Sequence, residues 1–85
     1  MKRIYEYEYR PEMGTLIDVR NEIDYKKKHH PFSININYDK LLMNYQTLLN
    51  KNNKYYLICS KGNKSKQATR ILEFYGYDVT YVINT

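Results

Sequence analysis

The chain has 85 residues and a formal net charge of +5, so we expect one small domain spanning residues 1–85. Its 42% hydrophobic and 27% charged residues exclude a disordered chain, and its single Cys excludes a disulfide framework or a cysteine-rich zinc module. No apolar run approaches the ~18 residues that a membrane span needs, and residues 1–6 contain no apolar stretch that resembles a signal peptide. A lone Cys fits a reducing compartment. We therefore expect a cytoplasmic protein with no membrane partner.

The first half of the sequence predicts short strands and one short helix. Residues 4–9 alternate apolar and acidic side chains, which indicates a half-exposed strand, and residues 10–14 then form a turn. The apolar run at residues 15–19 is typical of a strand covered on both faces. Asn21 is a suitable cap for a helix over residues 22–26.

The remaining elements alternate between strands and helices. Short apolar runs predict strands at residues 33–36, 55–59 and 77–83. One helical face is marked by Leu41, Leu42, Tyr45, Leu48 and Leu49, and another by Ala68, Ile71, Leu72 and Tyr75. Gly76 stands where a left-handed helix cap belongs. This alternation predicts an α/β fold, with a mainly parallel sheet flanked by helices.

The chemistry-bearing feature is Cys59, which ends a predicted strand and is followed by a polar loop. Ligands of open α/β sheets bind at the carboxyl ends of the strands. Gly62 can adopt a positive φ, which allows backbone N–H groups to form an anion nest, and the next helix adds its own free N–H groups. Together with the charges of Lys61 and Lys64, these groups favour the thiolate. Such a Cys could attack sulfur, hold a persulfide and bind a small oxyanion. The competing interpretation is a buried, inert Cys59.

The order and spacing of several short motifs between residues 15 and 83 resemble the rhodanese domain. The front half contributes residues 16–20, Asp24, Tyr25, and residues 29–31 and 33–36. The back half contributes residues 59–65, Ala68, Ile71, Leu72 and residues 76–79. The resemblance implies a rhodanese-like α/β fold and a thiosulfate sulfurtransferase activity that runs through a cysteine persulfide. The implied partners are a small anionic sulfur donor, thiosulfate or a persulfide, and an acceptor, which is cyanide, a thiol or a sulfur-relay protein.

The resemblance also assigns roles to individual residues. Cys59 matches the sulfur-carrying nucleophile, and the loop that would bind the substrate or the persulfide comprises Ser60, Lys61, Gly62, Asn63, Lys64 and Ser65. Asp18 and Arg20 match an aspartate–valine–arginine motif with a structural role, in which we expect Arg20 to pair with an acidic residue such as Glu22 or Asp24. His29 matches a histidine that precedes a Pro by two positions. No cofactor is implied.

The sequence departs from the family pattern in several places. Lys61 and Lys64 stand in a loop that often carries Arg, Phe32 follows the Pro where Gly is usual, and Lys28 precedes the histidine where Gly is common. The chain is also shortened at both ends: only residues 10–14 separate the first two strands, and no closing helix follows the last strand. A missing helix leaves part of a sheet face uncovered, so we expect a homodimer or a partner on that face.

Other functions fit the sequence less well. A phosphatase of similar loop shape needs an Arg six positions after the Cys, where this chain has Ser65, and a thiol oxidoreductase usually needs a second Cys. Adjacent His29 and His30 point in different directions in an extended chain, so we expect no metal site. Binding of nucleic acid is disfavoured because the aromatic residues also occupy core positions. A non-catalytic sulfur carrier or protein-binding module stays open as the alternative function.

Overall fold

The computed structural model describes residues 1–85 as an entirely parallel five-stranded sheet with three α-helices. The strands are β1 (Lys2–Tyr5), β2 (Thr15–Asp18), β3 (Ser33–Asn35), β4 (Lys54–Ile58) and β5 (Asp78–Ile83). The helices are α1 (Glu22–Lys27), α2 (Tyr38–Leu48) and α3 (Asn63–Phe74), and two 3-10 turns cover Glu6–Glu8 and Pro11–Met13. The predicted α/β fold with a parallel sheet is confirmed. None of these helices has the length and apolar character needed to cross a membrane.

The strand order places the end of β4 in the middle of the sheet. The order is β1-β5-β4-β2-β3, so that β4 lies between β5 and β2. Asp18 at the end of β2 is in register with Ile58 at the end of β4. Cys59 therefore leaves the sheet beside the Asp18–Arg20 motif, at the edge where parallel sheets bind ligands.

Local capping explains where the helices begin and end. The Asn21 side chain accepts a hydrogen bond from the Asp24 N–H at 2.8 Å, and Asn37 accepts one from the Lys40 N–H at 2.9 Å. Gly76 has a φ of 92°, in the left-handed region, immediately after α3. The predicted cap roles of Asn21 and Gly76 are confirmed.

The main hydrophobic core lies between the sheet and the helices α2 and α3. Leu57 of β4 and Val79 of β5 are fully buried in it, and they pack with Leu41 and the α3 residues Ala68 and Leu72. Burying a Leu side chain contributes about 1.5–3 kcal/mol. This core fixes α3, and with it the loop between β4 and α3, against the sheet.

The predicted strand over residues 4–9 is confirmed at residues 4 and 5 and is wrong from Glu6 onwards. β1 ends at Tyr5, because Glu8 accepts a hydrogen bond from the Tyr5 N–H at 2.8 Å and Tyr9 donates its N–H to the Glu6 carbonyl at 3.1 Å. These local bonds replace a strand ladder with a 3-10 turn. The turn directs Tyr9 onto the sheet, where its side chain is only 5% exposed.

The second sheet face is covered by this turn segment. Tyr9 and Met13 pack on a cluster formed by the buried side chains of Leu16, Tyr56, Ile58 and Val82. A segment of two 3-10 turns therefore covers this face of the sheet in place of the helix that is missing between β1 and β2. The uncovered face that motivated the expected homodimer is absent at these residues, and the homodimer itself stays a prediction.

Candidate active site

Cys59 lies directly after β4, at the carboxyl end of the central strand, and is 8% exposed. Its position is held from β5 as well as from β4. The side-chain amide of Asn84, just after β5, donates to the Ser60 carbonyl at 2.6 Å and to the Cys59 carbonyl. The sequence analysis missed Asn84, although its place after the last strand puts it at the same edge of the sheet.

The loop after Cys59 turns back so that its donors surround the sulfur. Gly62 has a φ of 81°, which confirms the predicted left-handed conformation, and its N–H lies 3.1 Å from the Cys59 Sγ. The Ser65 N–H lies 3.4 Å from Sγ, and the Ser65 hydroxyl lies 3.2 Å from it. Backbone N–H groups that converge on one atom in this way stabilise negative charge there. The geometry can therefore hold a thiolate or a persulfide anion.

Ser65 is supported from within α3. It is fully buried, and its carbonyl accepts a hydrogen bond of 2.7 Å from the hydroxyl of Thr69, which is also fully buried. Ser65 belongs to the first turn of α3, whose free N–H groups add a positive partial charge. Thr69 thus binds the backbone of the residue whose N–H and hydroxyl face the sulfur. The sequence analysis did not identify Thr69, because its hydroxyl is one of several on a helix.

The other predicted loop residues do not contact the sulfur. Ser60, Lys61, Asn63 and Lys64 are exposed. They line a cleft of about 520 Å³, called here the first cleft, that also reaches Cys59. Its other lining residues are Val19, Arg20, Asn21, Asp24, Asn37 and Asp39. The structure thus divides the predicted binding loop into sulfur-facing residues, Gly62 and Ser65, and cleft-lining residues.

Arg20 pairs with a different acidic residue from the two given as examples in the prediction. Arg20 does not pair with Glu22 or Asp24. Its guanidinium binds the Asp18 carboxylate at 2.8 and 3.0 Å and donates to the Lys28 carbonyl at 2.6 Å. The hydrogen bonds that Arg20 donates to the Asp18 carboxylate raise the pKa of Arg20. Glu22 instead forms an ion pair with Lys26 at 2.8 Å. Asp18 is buried, so the pair braces the end of β2 next to Cys59.

A second cleft, of about 420 Å³, reaches Cys59 from the other side. It is lined by Glu6, Asp18, Arg20, Lys28, His29, His30, Pro31, Ile58, Cys59, Ser60, Asn84 and Thr85. Cys59, Ser60 and Arg20 line both clefts. Cys59 therefore borders two clefts of different composition.

Comparison with known proteins is consistent with this architecture. A family model described as the rhodanese-like domain matches residues 4–85. The chain belongs to the rhodanese-like domain family. No curated protein matches its sequence.

Several solved structures are similar to this chain. A rhodanese-related protein from Thermoplasma volcanium is 28% identical with a TM-score of 0.86, and the match covers 98% of this chain and 84% of that one. A rhodanese-like domain protein from Staphylococcus aureus is 27% identical with a TM-score of 0.82, covering 98% and 85%. The reduced CoADR-RHD protein of Bacillus anthracis is 28% identical with a TM-score of 0.86, covering 95% of this chain and 15% of that longer one.

Proposed function

We propose that this chain is a small cytoplasmic thiosulfate- or persulfide-dependent sulfurtransferase with Cys59 as its nucleophile. One observation carries the proposal. The Cys59 Sγ accepts hydrogen bonds from the N–H groups of Gly62 and Ser65, at 3.1 and 3.4 Å, and lies 3.2 Å from the Ser65 hydroxyl. A cysteine that serves only as a small buried apolar residue requires no hydrogen-bond donors around its sulfur. Membership of the rhodanese-like family supports the same chemistry.

The proposed first step is nucleophilic attack on a sulfane sulfur. The Cys59 thiolate attacks the outer sulfur of thiosulfate, and a new S–S bond forms as the old S–S bond breaks. Its electron pair leaves with sulfite, and the transferred sulfur stays on Cys59 as a persulfide anion. The N–H groups of Gly62 and Ser65 donate to Sγ before the attack and lie beside the persulfide after it. Covalent catalysis of this kind divides one transfer into two easier steps.

The first cleft is the proposed entry for the anionic donor. Its cations are Lys61 and Lys64, together with Arg20, whose guanidinium is already bound to Asp18, against the carboxylates of Asp24 and Asp39. Exposed lysines attract anions over several ångströms without fixing their geometry, whereas a planar guanidinium binds oxyanions in two-pronged fashion. The acceptor is a thiol, either a small molecule or a group on a sulfur-relay protein.

The loop supports sulfur transfer over phosphate transfer. Ser65 occupies the sixth position after Cys59, where phosphatase chemistry needs an Arg. The hydroxyl and the N–H of Ser65 both face the sulfur. The sixth position therefore lacks the guanidinium that would bind a phosphoryl group. The small donors favour a compact sulfur species over a phosphate ester.

The test is the intact mass of the protein after incubation with thiosulfate. We expect the wild type to gain one sulfur atom and to lose it on addition of cyanide, whereas Cys59→Ser gains nothing. A folded, reduced wild type that gains no sulfur from thiosulfate or from a small persulfide would contradict the proposal. The non-catalytic binding module would then be the better description.

A further inference from the structure

The second cleft holds two neighbouring histidines whose ring protons are on different nitrogens. His29 and His30 both line this cleft together with Cys59. The sulfur-donor step described above uses neither of them. Their hydrogen bonds determine which ring nitrogen of each carries the proton, and the two assignments are opposite.

His29 presents an unprotonated Nε2. Its Nδ1 lies 2.6 Å from the Tyr25 carbonyl oxygen, which can only accept a hydrogen bond, so Nδ1 must carry the hydrogen. In the neutral ring the lone pair is then on Nε2. The ring also stacks on the Tyr25 ring, with centroids 3.8 Å apart and planes 9° from parallel. His29 is thus a base held in a fixed orientation.

His30 has the reverse arrangement. The Phe32 N–H donates to its Nδ1 at 3.2 Å, so this nitrogen carries the lone pair and Nε2 carries the hydrogen. The ring is held edge-on to Tyr9 at a centroid distance of 5.7 Å. The free ring nitrogen of His30 is therefore a hydrogen-bond donor and not a base.

We propose that the second cleft binds the acceptor thiol and that His29 is its general base. The inference rests on the proposed function. His29 Nε2 takes the proton of the thiol, and the thiolate attacks the outer sulfur of the Cys59 persulfide. A new S–S bond forms, the S–S bond to Cys59 breaks, and its electron pair returns to Sγ, where Gly62 and Ser65 donate to it. The imidazolium then releases its proton to water.

The other titratable groups of this cleft are less suited to the task. Asp18 and Arg20 are bound to each other, and Lys28 has no lone pair when charged. The remaining group is the Glu6 carboxylate, and carboxylates are much weaker bases than imidazole. No histidine lines the first cleft. The two clefts thus offer cations for an anionic donor and a base for a protonated acceptor.

The test isolates the second half of the reaction. Wild type and His29→Asn are loaded with sulfur, freed of thiosulfate, and mixed with mercaptoethanol, with the more acidic trifluoroethanethiol, or with sulfite, which is a dianion at mildly alkaline pH. The rate of persulfide loss is followed by intact mass. Asn can keep the bond to the Tyr25 carbonyl but has no basic nitrogen. His30→Asn is the matched control, since its amide oxygen can accept the Phe32 N–H.

We expect His29→Asn to lose persulfide to mercaptoethanol about 10-fold more slowly than wild type. This is less than the 10²–10⁴-fold typical of general bases, because a small fraction of the thiol is already ionised without the help of a base. The rate decrease of His29→Asn should shrink with trifluoroethanethiol and vanish with sulfite. His30→Asn, at a position that also lines the cleft, should change the rates with all three acceptors by a similar factor. Equal mercaptoethanol rates in His29→Asn and wild type, an equal rate decrease of His29→Asn with sulfite, or the same dependence on the acidity of the acceptor in His30→Asn would overturn the assignment. If wild type never loads sulfur, the proposed function itself fails.

Discussion

Gly62 lies against the hydroxyl of Tyr81, so closely that a Cβ at residue 62 would overlap the Tyr81 oxygen. Gly62 also has a φ of 81°, which side chains disfavour. The same residue donates its N–H to the Cys59 sulfur. Two independent constraints therefore exclude a side chain at the point where the loop comes closest to the nucleophile.

Gly62→Ala is expected to destabilise the fold by about 1–3 kcal/mol and to prevent sulfur loading. The added methyl group forces the loop away from Tyr81 and displaces the Gly62 N–H from the sulfur. Thermal unfolding and the mass gain with thiosulfate measure the two effects.

Gly76→Ala is the matched control for this substitution. Gly76 has a φ of 92°, but the nearest atom to an added Cβ is the flexible end of Lys51 at 3.5 Å. We expect a stability loss with normal sulfur loading. In Gly62→Ala/Tyr81→Phe, removal of the hydroxyl should restore part of the lost stability. Normal loading by Gly62→Ala alone would show that the close approach has no functional role.

Ser65→Ala is expected to slow sulfur loading about 10-fold. The substitution removes the hydroxyl 3.2 Å from the sulfur and keeps the backbone N–H in place. Hydrogen bonds to charged groups contribute about 1.5–3 kcal/mol, and 1.4 kcal/mol corresponds to a factor of 10. Ser33→Ala removes another buried hydroxyl, which binds the His30 carbonyl. It should lower stability without slowing loading, and wild-type loading by Ser65→Ala would contradict the assigned role of the hydroxyl.

Lys61→Ala and Lys64→Ala are each expected to raise the KM for thiosulfate about two- to fivefold with little change in kcat. Both side chains are exposed, so each contributes only a modest, salt-screened attraction to the donor. Lys54→Ala is the control, because Lys54 is exposed at the start of β4, at the opposite end of the strand from Cys59. An equal increase in KM for Lys54→Ala would mean that net charge matters and the first cleft does not.

Tyr9 is expected to make the fold less stable at alkaline pH. Burial raises the pKa of Tyr9 above its usual value of 10, with a smaller contribution from Tyr56. Below about pH 10 the phenol is protonated in both folded and unfolded chains. Above that pH the unfolded chain ionises first, so the free energy of unfolding falls as pH rises towards the higher pKa of the folded state.

The comparison of wild type with Tyr9→Phe by urea denaturation isolates this effect. Below pH 10 the wild type should be more stable, because Tyr9 donates to the Gly14 carbonyl at 2.7 Å. The difference should shrink as pH rises above 10. Tyr7→Phe, at an exposed position, should show no such trend. A constant difference between wild type and Tyr9→Phe across this range would refute the prediction.

The features that the sequence predicted correctly depend on local patterns. The helices follow from the spacing of apolar residues and from caps such as Asn21 and Gly76. Cys59 and Gly62 were found because a polar loop between a strand and a helix has few conformations that return its N–H groups to the strand end. Each of these signals lies within a few residues of the feature that it predicts.

The features that the sequence did not predict depend on competing or distant contacts. Alternation over residues 4–9 is compatible with a strand, but the Glu8 carboxylate satisfies the Tyr5 N–H and a 3-10 turn forms instead. Arg20 pairs with Asp18 and not with Glu22, because the buried Asp18 carboxylate lies next to it and Glu22 forms an ion pair with Lys26 on the same helix. The second cleft brings together residues from both ends of the chain, which no local pattern reveals.

The bond from Asn84 to the Ser60 carbonyl sets an order of events during synthesis. Strand β1 pairs only with β5, and the Cys59 loop is tied to a residue that follows β5. The ribosome must therefore finish residues 78–84 before either region acquires its native contacts. A nascent chain that already contains Cys59 therefore lacks the bonds from Asn84 to the Cys59 and Ser60 carbonyls until the last strand has been translated.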